Sequence, residues 1–143
     1  MREILFRGKT IKTRFGGGKW IEGFYAMSCA GRGEMEPAII TGTERSCFIT
    51  EFVDPATVGQ FTGLCDKNGV KIFEGDIVDI WSAGQHCHGL VKWGQGSVSF
   101  FVEVPCTPHI WHLSGGGKNY DEETCEVIGS IHDNPELMEE GAE

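Results

Sequence analysis

The sequence predicts a mainly β protein. Three observations carry that prediction: glycine supplies 21 of the 143 residues, the apolar runs are short and rich in aromatic and β-branched side chains, and turn residues punctuate them. The glycine share is about twice the usual one and has no triplet period, which excludes collagen. Glycine costs backbone entropy inside regular elements but permits the positive φ of tight turns. Many glycines between short apolar runs therefore describe many short strands joined by turns. The expected architecture is a small SH3-like β-barrel in the C-terminal half, with an N-terminal β-hairpin and sheet extension and short helical turns. A soft boundary divides an extension over residues 1–58 from a barrel domain over 59–143.

The elements follow in order. Residues 4–15 and 19–27 flank Gly16-Gly17-Gly18 and form a hairpin around that glycine turn. After a polar stretch from Ser28 to Glu36, Pro37–Ile40 and Cys47–Val53 are two further strands. Asp54-Pro55-Ala56-Thr57-Val58-Gly59 is a compact helical turn, with Asp54 as cap, Pro55 at the first helical position and Gly59 as stop. Asn68-Gly69 within Asp66–Gly69 suits the two positive φ values of a type I′ turn. Strands at Ile72-Phe73, Ile77–Trp81 and Gly89–Trp93 come next, separated by the turn Glu74-Gly75-Asp76 and a loop over 82–88. Val98 to Val104 alternates cleanly, placing Val98, Phe100, Val102 and Val104 on one face and Ser99, Phe101 and Glu103 on the other. A glycine-rich loop covers 105–122, Thr124–Ile131 is the closing strand, and Asn134-Pro135 opens a short helical turn. Five short strands between about 64 and 132, with no helix between them, suit an SH3-type barrel, whose closure removes exposed edges.

Composition excludes several classes. No run approaches the roughly 18 apolar residues that cross a bilayer, and Arg7 interrupts the short apolar start, so no membrane partner and a cytoplasmic location are expected. The six cysteines are scattered without any C-x-x-C, which reads as free thiols rather than a disulfide framework. The formal charge of −9 is uneven: residues 1–20 hold six bases against one acid, and residues 133–143 hold five acids and no base. Arg7, Lys9, Lys12, Arg14 and Lys19 form a candidate partner-binding set, for a second copy, another protein or nucleic acid. Nucleic acid is the less favoured of these, because the rest of the chain holds six bases and twenty acids and would repel a phosphate backbone.

Other constellations invite chemistry. His86 and His88, with His109 and His112 downstream, are candidate zinc ligands beside Cys87 and Cys106, yet their spacing matches no finger or ribbon pattern. Loop histidines and a buried cysteine are the plainer account. Gly115-Gly116-Gly117-Lys118 lacks both the four-residue spacing between glycines and the Ser/Thr of a phosphate loop, and Gly16–Lys19 fails likewise. Glu74, Asp76 and Asp79 are acids at a strand entry, read as solvated turn residues rather than an acid/base pair. No residue is assigned a catalytic role, and no cofactor is implied.

Two long segments resemble the YopX family of phage and prophage proteins. One runs Val53-Asp54-Pro55-Ala56-Thr57-Val58-Gly59-Gln60-Phe61-Thr62-Gly63-Leu64-Cys65-Asp66-Lys67-Asn68-Gly69 and on through Lys71-Ile72-Phe73-Glu74-Gly75-Asp76-Ile77-Val78. The other is Glu126-Val127-Ile128-Gly129-Ser130-Ile131-His132-Asp133-Asn134-Pro135-Glu136-Leu137. The opening Arg2–Gly8 and Trp20-Ile21-Glu22-Gly23 are also similar to family members. The resemblance implies an SH3-like barrel in the C-terminal half and self-association, and no catalytic residues. The expected role is therefore a non-enzymatic binding or assembly module, with a nucleic-acid-binding accessory protein as the alternative.

Overall fold

The computed structural model describes residues 3–29, 33–42, 48–82, 85–96, 98–105, 110–112 and 125–140. The chain falls into two compact units, Met1–Phe61 and Thr62–Glu143.

The first unit is an antiparallel sheet of β1 (Phe6–Lys9), β2 (Trp20–Cys29), β3 (Met35–Gly42), β4 (Phe48–Phe52) and the start of β5 (Gly59–Cys65), in the order β4-β3-β2-β1-β5. Phe6 lies opposite Gly23 on β2 and Gln60 on β5. A bridge between Thr10 and Val53 ties the chain after β1 to the end of β4, backed by Ile11 N–H donating to the Phe52 carbonyl at 3.2 Å. Ala38, Ile39, Val53 and Phe61 are the buried apolar residues here. A Cβ at Gly8 would sit 3.2 Å from that of Val53, so glycine lets β1 lie close over this core. The expected helical turn is present as a single 3-10 turn, Pro55–Thr57, capped by Asp54.

β5 runs through the division between the units, and its far end lies beside β6 (Lys71–Phe73). The second unit continues with β7 (Asp76–Ser82), β8 (Gln85–Gly94), β9 (Ser99–Glu103), β10 (Ile110–His112), β11 (Cys125–Ser130) and α1 (Glu136–Glu140). Its main sheet is antiparallel in the order β10-β9-β8-β7-β11. Alternation drives one face inward: Ile72, Val78, Val91, Val102 and Val104 form the core, with Leu64, Ile80, Cys87, Cys125 and Val127 packed against it.

Several expectations are refined. Among the described residues the main sheet of the second unit ends on β10 and β11, and no closed barrel is found there. β5 is a strand that the sequence reading does not include, and it hydrogen-bonds to β1 and β6. The first hairpin turns at Arg14-Phe15, and Gly16, the first residue of the glycine triplet, closes the turn against Thr13. The Asp66–Gly69 turn is not type I′: Gly69 has φ +79 but Asn68 does not have positive φ. Asp66 Oδ1 holds the amides of Asn68 and Val70 at 2.8 and 2.9 Å, which favours a right-handed turn closed by one left-handed glycine. Val98 leaves the predicted inner face, 73% exposed and with φ +51, while Phe100, Val102 and Val104 are buried as expected. β8 begins at Gln85, inside the predicted loop over 82–88, and the three-residue β10 lies inside the predicted loop over 105–122.

Candidate interaction surface

The five candidate cations gather on one hairpin. Arg7 and Lys9 alternate with Phe6 and Gly8, so both side chains leave the same face of β1. Trp20 lies opposite Lys9, and its ring takes the Arg7 guanidinium at 4.4 Å and the Lys9 ammonium at 5.4 Å from the centroid. Such cation–π contacts contribute about 0.5–1 kcal/mol each at exposed sites. The Lys9 N–H also donates to Thr57 Oγ1 at 2.8 Å, holding the basic strand against the 3-10 turn.

Beyond β1 the hairpin narrows. Thr13 N–H donates to the Gly16 carbonyl at 2.7 Å and Gly16 N–H returns to the Thr13 carbonyl at 3.1 Å, leaving Arg14 and Phe15 as the two-residue tip. Phe15 is 86% exposed, and the Arg14 guanidinium lies 4.8 Å from its ring. Gly17 has φ +120, and a Cβ there would stand 2.2 Å from the Ile11 carbonyl oxygen, so only glycine returns the chain this closely. Lys12 and Lys19 occupy the two arms, with Lys19 N–H donating to Thr10 Oγ1 at 3.0 Å.

Sequence reasoning missed the other half of this surface. β2, β3 and β4 form an arm with apolar residues exposed on both faces. Registers Tyr25↔Ile39↔Glu51, Met27↔Pro37, Cys29↔Met35 and Thr41↔Ile49 put those residues on one face, while Phe24 and Phe48 leave the other. Tyr25, Met27, Met35, Ile49, Phe24 and Phe48 are all exposed, Phe48 to 75%. The signal was present in Phe24-Tyr25 and Phe48-Ile49: adjacent large apolar residues in a strand point to opposite faces, and a small unit cannot cover both.

Three of the four candidate histidines fall on described strands. His86 and His88 share the outer face of β8, as extended geometry requires, while Cys87 turns inward to the core. His86 Nδ1 lies 2.9 Å from Asp79 Oδ2, and His88 donates its Nδ1–H to the Leu137 carbonyl at 3.0 Å. His112 is on β10, opposite Phe101, which lies opposite Lys92; that row is four residues along β8 from His88. His109, Cys106 and Gly115–Lys118 lie outside the described residues. No group of three or more His, Cys, Asp or Glu is placed to hold a metal among the described residues. Nor is Asp76 a solvated turn acid, being 1% exposed and accepting the Phe73 N–H at 2.8 Å; the carboxylate anchors the turn because the buried amide needs an acceptor. No helix among the described residues is long and apolar enough to cross a membrane.

Two antiparallel β units, the first with a cation-bearing hairpin and an arm of exposed apolar side chains, define a mainly β protein. The chain belongs to the YopX family, whose model, described as YopX protein, matches residues 24–139. A solved structure of protein EF1440 from Enterococcus faecalis is similar, with 25% sequence identity and a TM-score of 0.55 over 96% of this chain and 99% of that one. No curated protein matches the chain.

Proposed function

We propose that this YopX-family chain is a non-enzymatic binding or assembly module that self-associates. The observation behind this reading is the β2–β4 arm, which exposes large apolar side chains on both faces. Folding leaves that area in water, and association removes it at about 25 cal/mol per Å² of apolar surface before the costs of binding. The basic hairpin supports the same reading, because a chain of charge −9 repels its own copies unless opposite charges meet. A cytoplasmic location and a phage or prophage setting are consistent with this role.

Light scattering after gel filtration, across protein concentration and at low and high salt, tests the reading. A species larger than the monomer is expected, weakened at high salt where the screening length falls to about 3 Å. A monomer under every condition overturns it.

A second reading is favoured by the hairpin tip, where an 86% exposed ring stands beside cations. Nucleic-acid binding would use Phe15 for base stacking and Lys12 and Arg14 for phosphates. Trp20 supports it less, since two cations of the same chain already lie over its ring. A salt-sensitive mobility shift that weakens in the Lys12→Ala, Arg14→Ala double variant is the expected result. Absence of a shift at low salt removes this reading.

A further inference from the structure

The first unit contains two surfaces of matching chemistry at separate places. One is the hairpin tip. Its backbone is fixed by the paired Thr13–Gly16 hydrogen bonds, so Phe15 is presented at a defined position although 86% of it meets solvent. Arg14 is held on the Phe15 ring at 4.8 Å, and among the described residues neither Arg14 nor Lys12 has an ion-pair partner.

The other is the face of the arm that runs outward from the buried Ile39. Tyr25, Met27, Met35 and Ile49 are exposed there to between 40% and 56%, and the Tyr25 hydroxyl lies 3.6 Å from Met27 Sδ. Glu51 stands in the row of Tyr25 and Ile39. It is exposed, and none of the ion pairs among the described residues includes it. Thioethers accept aromatic edges and adapt their shape to them. A carboxylate at the margin of such a patch accepts a guanidinium in a charge-assisted, bidentate pair. The arm face thus offers what the tip lacks: an apolar seat for one ring and a single negative charge beside it.

We propose that the Arg14–Phe15 tip of one copy docks on the Tyr25/Met27/Met35/Ile49 face of a second copy, with Arg14 paired to that copy's Glu51. This deepens the self-association reading and rests on it. The two surfaces are different patches of one chain, so the contact closes as a two-fold dimer where both tips engage reciprocally, and builds a ring or an open filament where each copy's tip meets a different neighbour. Each junction seats one cation against one acid, which offsets part of the repulsion between copies of charge −9.

The test is particle mass by light scattering for the full chain and four variants: Phe15→Ser, Arg14→Glu, Glu51→Arg and the charge exchange Arg14→Glu with Glu51→Arg. All three positions are exposed, so unchanged thermal melting by circular dichroism accompanies each variant. The expected result is an oligomeric wild type, at least about tenfold weaker association in each single variant, and recovery in the exchange; a lost ion pair at about 1.4 kcal/mol gives that factor. An oligomer unaffected by Phe15→Ser and Arg14→Glu overturns this contact and leaves self-association standing. Dissociated single variants without recovery in the exchange overturn the Arg14–Glu51 pairing. A wild type that is monomeric throughout removes the self-association reading and this contact together. A tip variant that loses a nucleic-acid mobility shift while keeping its oligomeric mass assigns the tip to nucleic acid and also overturns the proposal.

Discussion

Asp66 reaches 61 positions along the chain to Val127: its Oδ2 accepts the Val127 N–H at 2.9 Å, while Oδ1 accepts the N–H groups of Asn68 and Val70 at 2.8 and 2.9 Å. One carboxylate thus shapes the turn after β5 and fastens it to β11. The pairing is reinforced outside, where Lys67 Nζ meets Glu126 Oε2 at 3.2 Å and Lys67 N–H donates to the Cys125 carbonyl at 3.1 Å. The exposed ion pair adds little by itself. Asp66, only 8% exposed, matters more.

Asp66→Ala is therefore expected to destabilise the protein by about 3 kcal/mol, since it strands three backbone donors in a partly dry setting. Asp66→Asn keeps one accepting oxygen and should cost roughly half as much. Urea unfolding midpoints check both values. A loss below about 0.5 kcal/mol for alanine, the range of an ordinary surface change, would mean water replaces the carboxylate freely.

Two glycines mark close approaches, and a third is a control. A Cβ at Gly23 would lie 2.2 Å from the Ile40 carbonyl oxygen, and one at Gly89 would lie 2.2 Å from Val102 Cγ1. Gly42 has nothing within 4 Å. Gly23→Ala should separate β2 from β3, and Gly89→Ala should push β8 away from β9, each costing about 1–3 kcal/mol as overpacking does. Gly42→Ala should fall within about 0.5 kcal/mol of the parent. Thermal denaturation of the three variants side by side settles the order, and equal stability in all three would refute the steric argument.

The 3-10 turn holds the basic strand at Lys9, whose carbonyl accepts the Asp54 N–H at 2.9 Å and whose N–H is taken by one hydroxyl. Thr57 Oγ1 accepts the Lys9 N–H at 2.8 Å and donates to the Asp54 carbonyl at 2.7 Å, and the Thr57 side chain is 7% exposed. Thr57→Val keeps the shape and removes both bonds, leaving a backbone donor unmatched. A loss of about 1–2 kcal/mol is expected, with faster amide exchange at Lys9. Asp54→Ala removes the cap bond to Ala56 N–H, 3.1 Å long, and should cost about 1 kcal/mol without altering exchange at Lys9. If Lys9 exchange is the same in both variants, the hydroxyl is not what anchors the strand.

Local chemistry made much of the fold readable. Asp54-Pro55 announced the 3-10 turn because capping acts within three residues, and the Phe100, Val102, Val104 alternation announced the inner face of β9 because side-chain direction in a strand is set by parity alone. What failed was longer in range. Nothing around residue 59 reveals that β5 would start on β1, since strand partners are chosen by packing far along the chain. The type I′ expectation at Asn68-Gly69 failed because the Asp66 side chain, two residues earlier, captured the amides that set the turn. The cationic half of the candidate surface was legible as a charge run. Its apolar half was not, because exposed and buried hydrophobic strands look alike until the area that covers them is counted.

Cys125 gives the pH-dependent prediction. Its thiol packs against the second unit's core, and burial, then the negative charges of Asp66, Asp79 and Asp76, push its pKa up from 9.0 to about 11. The neutral thiol is the weak nucleophile, so at mildly alkaline pH Cys125 should alkylate with iodoacetamide far more slowly than the exposed Cys29 and Cys65. The same shift acts on stability. Between 9.0 and about 11 the folded thiol keeps its proton while the unfolded one releases it. The unfolded chain then binds fewer protons, and stability declines as pH rises through that window, with no contribution below it. Cys125→Ala removes this proton linkage, so its unfolding free energy should fall less steeply than the parent's over the same window, whatever offset the lost packing adds. Peptide-level mass spectrometry reads the alkylation order, and denaturant titrations at both ends of the window read the slope. Cys125 labelling as fast as Cys65, together with parallel slopes in parent and variant, would show that the thiol is neither shielded nor coupled to those carboxylates.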